Sequence, residues 1–514
     1  MTSKHSDPAR GLTGTSASPL YQGRFGRMFP SLPSATFGKD EAESLQNLVK
    51  LANAMTSERD DPFDGKDDEE SGIPALYTYL GQFIDHDLTF DPNSSLQKQN
   101  DPNALSDYRT PAFDLDNIYG RGPDDQPYMY DDMGGFLLGK PIKGADDAQA
   151  RDLPRNDPQA SGQPEQKSLT KRALIGDPRN DENVIVSQLQ GLFHRFHNRL
   201  LKETRAKDPL ADFPAIQRLM RFHYQYLVIN DFLPRIVDEQ VLQELKTDGR
   251  YDRSKLRFYR WRNDPFMPVE FSVAAYRPGH SMVRPGYRLN DNVLLPIFPG
   301  SKDKDGLTGF REMNPAWAID WGRFIDIDLR EYDGSDAVKK RRLQFAYRID
   351  TALVNPLSGL PLSVAADPPP SLPQRNLLRG YRLGLPSAQA IAHAMGVKVL
   401  DDEQILIGQA VDKPDKPLDN ILSVSPAFRK NCPLWTYILA EAMQHRATVK
   451  IPTKGSIEVT TPRLGPVGGR IVAEVMLGLM FGDSHSLLRM NPDWHPETGP
   501  DYTLKDFVLY ALDK

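Results

Sequence analysis

The sequence predicts a mainly α protein with few, short strands and many proline-rich loops. Apolar residues recur at helical spacing through segment after segment, and no repeat of fixed period appears. Proline accounts for 43 of 514 residues, about 8% against ~5% on average, which fixes loops and disfavours long uninterrupted sheets. Hydrophobic residues at 39%, charged residues at 26% and a mean hydropathy of -0.52 describe a soluble globular chain. Collagen-like, coiled-coil and wholly disordered classes are excluded.

Residues 1–38 are rich in Ser, Thr, Gly and Pro and read as a flexible N-terminal segment. Met1 to Pro19 lacks the apolar centre of a classical signal peptide, and no run approaches the ~18 apolar residues of a membrane span. The expectation is a cytoplasmic or non-classically secreted protein. Glu41 to Met55 places Leu45, Leu48, Val49, Leu51 and Ala52 at helical spacing. An acidic loop, Glu58 to Glu70, leads into an apolar helical pattern over Ile73 to Phe90. Residues 144–167 carry Pro154, Pro158 and Pro164 and read as a surface insertion. A strong helix follows from Glu182 to Thr204, with Leu189, Leu192, Phe193, Phe196 and Leu200 on one face, and Phe213 to Leu245 gives one or two more. Arg341 to Leu353, Ser387 to Met395, Pro433 to Thr448 and Gly468 to Met480 all have helical patterns. The best apolar run, Ile471 to Phe481, is interrupted by Glu474 and reads as a buried helix.

The net charge of -6, from 69 acids against 63 bases, offers no footprint for nucleic acid and no acidic tail. Cys432 is the only cysteine, so neither an intramolecular disulfide nor a thiolate metal cage is available.

Four clusters carry potential chemistry. In Gly81-Gln82-Phe83-Ile84-Asp85-His86-Asp87, Gln82 and His86 are four apart and share a helix face. Two carboxylates beside a histidine in an apolar helix are costly to bury without a metal, a cofactor or hydrogen bonds; a solvated polar stripe is the plain alternative. In Thr110-Pro111-Ala112-Phe113-Asp114-Leu115-Asp116 the oxygen donors alternate, as in a loop wrapping a hard cation that takes six to eight oxygens. The Gly and terminal Glu of an EF-hand loop are absent, and an Asx-rich turn has the same composition. Gly176-Asp177-Pro178-Arg179-Asn180-Asp181-Glu182-Asn183 is ordinary chemistry for a helix start, except that it sets Arg179 just before an apolar helix. Finally, His280 in Arg277-Pro278-Gly279-His280 is either a metal or haem ligand or a packed residue.

Taken in order, these clusters resemble the animal-type haem peroxidases of the peroxidase–cyclooxygenase superfamily, and the chain looks like a bacterial member. Residues 81–87 match the distal haem motif, residues 176–182 the catalytic-arginine segment, and residues 277–280 the proximal-ligand motif. Asn376-Leu377-Leu378-Arg379 with Gly384-Leu385-Pro386, and Arg199 in His197-Asn198-Arg199-Leu200, match two further stretches. The likeness runs over roughly residues 20–495. A length of 514 is a prior for roughly three domains, but motifs that converge on one haem imply a single large helical peroxidase domain over 39–514.

The resemblance implies haem b, ligated by His280, with Asn376 on the other ring nitrogen and Arg379 on a propionate. It makes His86 the acid–base, Arg179 the group that stabilises the breaking O–O bond, and Gln82 a holder of distal water. Asp85 and Glu182 stand where ester links to haem form. Asn183 replaces the methionine of one chlorinating member, which implies that its sulfonium link is missing. Asp87, Thr110, Ala112 (through its carbonyl), Asp114 and Asp116 would bind Ca²⁺. The implied activity is reduction of hydrogen peroxide through a ferryl intermediate, with oxidation of small organic or (pseudo)halide donors, in the setting of oxidative stress. One alternative is a fatty-acid dioxygenase or cyclooxygenase-like enzyme, but those carry a Tyr three residues before the proximal His, where this chain has Arg277. A non-catalytic binding module predicts losses at His86, Arg179 or His280, and all three are present. A zinc site at His194 and His197 lacks an intervening acid to act as base.

Overall fold

Helix starts are written into the chain by capping side chains. In the computed structural model, which describes residues 23–58, 64–91, 96–97, 99–102, 105–156, 171–300, 305–332, 341–362, 364–365, 367–413 and 416–514, Asp40 accepts from the Glu43 amide to open α1 (Glu41–Ala54). Helix α2 (Leu76–Leu88) is buried nearly all round. Asn183 caps α3 (Val184–Lys207), and Asp212 caps α4 (Phe213–Leu227), which runs on through a π-helical turn at Val228–Phe232. Then come α5 (Leu372–Arg382), α6 (Ala388–Met395), α7 (Leu434–Ala442), α8 (Gly468–Gly482) and α9 (Leu504–Ala511).

Aromatic stacking locks the central layer. Phe83 of α2 stacks on Phe193 of α3 at 4.3 Å, and Phe196, one turn on, stacks on Phe507 of α9 at 4.5 Å. Burial of such rings supplies both apolar area and a preferred geometry. Helix α8 has no solvent face. It approaches α7 so closely that a Cβ on Gly468 would lie 2.4 Å from Ile438, so only glycine fits there. Glu474, fully buried in α8, accepts the backbone N–H groups of Arg257, Phe258 and Tyr259 and the Arg470 guanidinium. One continuous apolar core runs from Phe25 to Leu512, with a small satellite of Tyr332, Leu343, Phe345 and Ile451.

The strands are short and mostly paired in twos. Residues Glu70–Pro74 pair with Phe345–Tyr347, Gly286–Asn290 with Val293–Pro296, and Arg446–Lys450 with Glu458–Pro462, all antiparallel. Gly23–Gly26 lies between Ser106–Asp107 and Met267–Pro268.

The structure corrects several expectations. Arg341 to Leu353 is not helical: Leu343, Phe345, Tyr347 and Ile349 alternate, and both faces of the segment are buried. The helix expected over Pro433 to Thr448 stops at Ala442, and Arg446 begins a strand. Of the segment expected to be flexible, residues 1–22 lie outside the described residues. The rest is fixed: Phe25, Met28, Phe29 and Phe37 are buried, and the Met28 and Phe29 amides donate to buried Glu270. In the described part of the 144–167 insertion Gly144, Asp146, Ala148 and Gln149 are exposed, while nearly buried Arg155 anchors its later residues by bridging Asp152 and Asp181. Residues 157–167 lie outside the described set.

The Glu70–Pro74 strand carries the most enclosed ion cluster. Glu70 accepts from Arg284 at 2.6 Å and from Arg342 twice at 2.7 Å, all three side chains being at most 1% exposed. Removing one member of such a cluster leaves buried charge uncompensated, so Glu70→Gln is expected to cost about 3–5 kcal/mol. Denaturant unfolding measures this; a loss under 1 kcal/mol would refute the assignment.

Candidate functional site

Helix α2 brings Gln82, Asp85, His86 and Asp87 to the meeting point of three other segments. His86 is 4% exposed, and its Nδ1 lies 2.7 Å from Asn180 Oδ1. An amide oxygen can only accept, so the proton of this bond is on Nδ1, and Nε2 is the ring nitrogen left for other partners. That Nε2 stands 3.5 Å from Glu182 Oε1, and the Gln82 amide donates to the same Glu182 oxygen. Asp85 accepts from the Thr89 hydroxyl at 3.1 Å.

Arg179 enters on the short helical turn Pro178–Asp181, which Asp177 caps by accepting from the Arg179 amide. The guanidinium donates through Nη2 to the His86 carbonyl at 3.0 Å and to Asp177 at 2.7 Å, and lies 4.6 Å over the Phe90 ring. Asp177 is completely buried. Burial alone would raise its carboxyl, but the Arg179 and Arg109 cations outweigh that and hold it far below the usual carboxylate range.

The alternating loop folds back under α2. Asp87, Asp114 and Asp116 present carboxylate oxygens within 4.8 Å of one another. Asp87 is 0% exposed, and neither of its oxygens has a hydrogen-bond partner among the described residues. Burial, then repulsion from Asp114 and Asp116, pushes it well above the ordinary carboxylate range; the Tyr224 hydroxyl and Leu115 amide ease this without reaching bonding geometry. Asp116 is pushed up to about 7, by burial against the relief of Arg109. Three carboxyl groups so close together, with both oxygens of Asp87 and one of Asp116 orphaned, suit a hard divalent cation. Thr110 donates to Asp114 Oδ2 at 2.6 Å, and Ala112 lies in the same loop.

Across from α2, the turn Pro278–His280 packs against it, and the Tyr276 hydroxyl donates to the Gly81 carbonyl at 3.3 Å. The Asn376 amide of α5 lies 2.7 Å from His280 Nδ1. Burial, with the Arg277 charge adding, keeps the His280 ring neutral, down to about 3. Burial lowers the Arg277 guanidinium to about 10, with the Asp85 and Asp91 charges opposing and the Arg379 and Arg179 charges adding to the shift. Arg379 reaches Asp91 at 3.4 Å.

The animal haem peroxidase family model matches residues 95–299. Chorion peroxidase of Aedes aegypti is 29% identical over 117 residues, 22% of this chain and 15% of that protein. Human myeloperoxidase is 25% identical over 224 residues, 42% of this chain and 27% of the enzyme. Peroxidase A of Dictyostelium discoideum superposes with a TM-score of 0.56 at 16% identity, covering 91% of this chain and 88% of that one. The chain is thus similar to animal haem peroxidases over residues 95–299, and it shares its fold with Peroxidase A over 91% of its length. Its alignments span only 15% to 27% of these two curated relatives. The fold extends to rice fatty acid α-dioxygenase, at a TM-score of 0.50 and 13% identity over 93% of this chain and 79% of that one.

The structure brings Gln82, His86, Arg179 and Glu182 together, sets Asn376 against His280, and gathers Asp87 of α2 with the two loop aspartates, Asp114 and Asp116. Arg199 does not join them. It stacks on Tyr510 at 4.2 Å and ties α3 to α9. His197 is satisfied by the Tyr119 hydroxyl and the Gly134 carbonyl, which removes it from any zinc site. Sequence reasoning missed Arg109, which bridges Asp116 and Asp177 and so couples the loop to the Arg179 segment. Its position immediately before the alternating loop was the only available signal.

Because the folded Asp177 pKa is depressed, its stabilisation is present above ~4 and lost as pH falls through the folded value. Asp177→Asn is therefore expected to lose about 3–5 kcal/mol at pH 7, with the gap to the parent closing in strong acid. Parallel unfolding curves at pH 7 and pH 3 check this, and a pH-independent gap would contradict it.

Proposed function

We propose that the chain is a haem peroxidase that reduces hydrogen peroxide and oxidises small organic or (pseudo)halide donors. The observation carrying this reading is the placement of His86: its Nδ1 lies 2.7 Å from Asn180 Oδ1, and its Nε2 faces Glu182, to which Gln82 also donates. Haem b suits the residues opposite. With the Asn376 amide turned so that its oxygen accepts Nδ1–H, His280 offers Nε2 as a ligand of raised basicity. Arg379 would meet a propionate, and Asp85 and Glu182 are the carboxylates available for ester links. Bound there, haem supplies the Lewis-acidic, redox-active iron that peroxide chemistry needs.

His86 Nε2 takes the proton of the inner peroxide oxygen and returns it to the outer one, which leaves as water. Arg179 spends Nε and Nη2 on Asp177 and the His86 carbonyl, so its position is set before any substrate arrives. Its charge stabilises the anion developing as the O–O bond breaks. Gln82 holds the distal water or a small donor.

We further assign Ca²⁺ to Asp87, Asp114 and Asp116, with the Thr110 hydroxyl and the Ala112 carbonyl completing the shell. A fatty-acid dioxygenase remains the second reading, on the likeness to the rice enzyme's fold. Against it, Arg277 sits three residues before His280, and the Tyr276 ring stacks on Phe271 at 4.7 Å. Oxygen uptake with a fatty acid in the absence of peroxide would decide for it.

His86→Ala is expected to lower peroxide-dependent oxidation of a phenol by about 10²–10⁴-fold while keeping the haem Soret band; His280→Ala should lose the band. Wild-type turnover in His86→Ala would refute the assignment. For the cation, raised carboxyl pKa values mean that ionising the cluster costs stability as pH rises, to about 7 for Asp116. A chelator should therefore lower the melting temperature at pH 8 and change it little at pH 5, where protons occupy the site. An unchanged melting temperature at both pH values would remove the Ca²⁺ assignment.

A further inference from the structure

The hydrogen bond that fixes His86 does not end at Asn180. Asn180 Nδ2 donates to Gln190 Oε1 at 2.7 Å, and Gln190 Nε2 lies 2.8 Å from His194 Nε2. All four side chains are at most 4% exposed. Gln190 and His194 sit one turn apart on α3, so one helix presents both to the same line. An amide has a donor end and an acceptor end, so a chain of two amides has a direction, and each link dictates the next. Read from the His86 end, Nδ1–H donates to Asn180, Asn180 to Gln190, and Gln190 to His194 Nε2, which must carry a lone pair. His194 then bears its proton on Nδ1.

The surroundings hold the His194 ring in place. His194 Nδ1 is buried, without a hydrogen-bond partner among the described residues, and His194 lines a small cavity with Asp147, Arg151, Asp152 and Arg195. The Phe136 ring stacks flat on His194 at 4.3 Å and 6°, which holds the ring plane. At the other end the Glu182 carboxylate beside His86 Nε2 would by itself attract a proton there. Asp177 and Arg179 are the other charged groups against His86.

We infer that Asn180, Gln190 and His194 form a directional hydrogen-bond chain that sets the tautomer of His86, with His194 as the positioning residue at its far end. The inference rests on the peroxidase reading for its use, though not for its existence. Low-dielectric surroundings strengthen each link through its neighbours. The chain would hold the Nε2 lone pair of His86 towards substrate against the attraction of Glu182.

Neutron diffraction from deuterium-exchanged crystals of the full chain tests this directly and needs no turnover. Deuterons are expected on Nδ1 of both His86 and His194. A deuteron on His86 Nε2 instead of Nδ1 would overturn the inference. In Asn180→Asp the new carboxylate still accepts from His86 but cannot donate. Gln190 must then turn, and His194 must move its deuteron from Nδ1 to Nε2, two bonds away. A His194 unchanged in this variant would show that the chain transmits nothing.

Cyanide association with the haem-loaded protein gives a second readout, because the incoming acid must hand a proton to His86. Asn180→Leu, or Gln190→Met should the former not fold, is expected to slow association about 10–100-fold with an unchanged Soret band. Equal rates in all variants would make the chain structural only. If the parent protein takes up haem but shows no peroxide-dependent turnover, the peroxidase reading fails, while the deuteron positions still judge the chain.

Discussion

Asp177 is the carboxylate on which the site depends. It has no contact with solvent, and it is charged because two guanidiniums, Arg109 and Arg179, converge on it from different segments. Burying an ion is expensive, and a partner repays that cost only where geometry is fixed. The pairing therefore works as a constraint: Arg109 cannot leave without stranding Asp177, and Arg109 also holds Asp116 of the acidic loop. Through that one anion, the loop beneath α2, the turn carrying Arg179 and the helix carrying His86 share a frame. Preorganisation of this kind keeps Arg179 aimed before anything binds, which is where electrostatic stabilisation is most effective.

The same device recurs away from the site. Glu270 clips the Met28–Phe29 backbone, Glu441 clips Val467 and Gly468, Glu474 clips residues 257–259, and Asp350 clips Ala410. Each joins segments distant in sequence through backbone N–H groups. In a chain with a single cysteine, buried carboxylates do the long-range cross-linking that disulfides do elsewhere, by enthalpy within the folded state rather than by restricting the unfolded one.

Much of the site could be read from the sequence because it is local. Gln82 and His86 share a helix face, Arg179 precedes a helix start, and Asp114 and Asp116 alternate along one loop; each spacing maps onto geometry without knowledge of the fold. What could not be read is non-local. Arg109 meets Asp177 across 68 residues, and Asn376 meets His280 across 96. Gln190 and His194 look like the polar edge of an amphipathic helix until Asn180 is seen beside them. The Arg341–Leu353 error has a related cause: with Gln344 and Arg348 also buried, neither the period of a helix nor that of a half-exposed strand dominates. Pairing with Glu70–Pro74 then decides.

Cys432 illustrates what full enclosure means for chemistry. Its thiol is 0% exposed, and burial, then the nearby Asp402 charge, pushes its pKa well above the usual value. Oxidants attack the thiolate at the surface, and this sulfur offers neither thiolate nor access. A chain proposed to work in the presence of peroxide thus carries no cysteine that its own substrate would readily convert to sulfenic acid, and it has no need of a reductant to keep that residue intact.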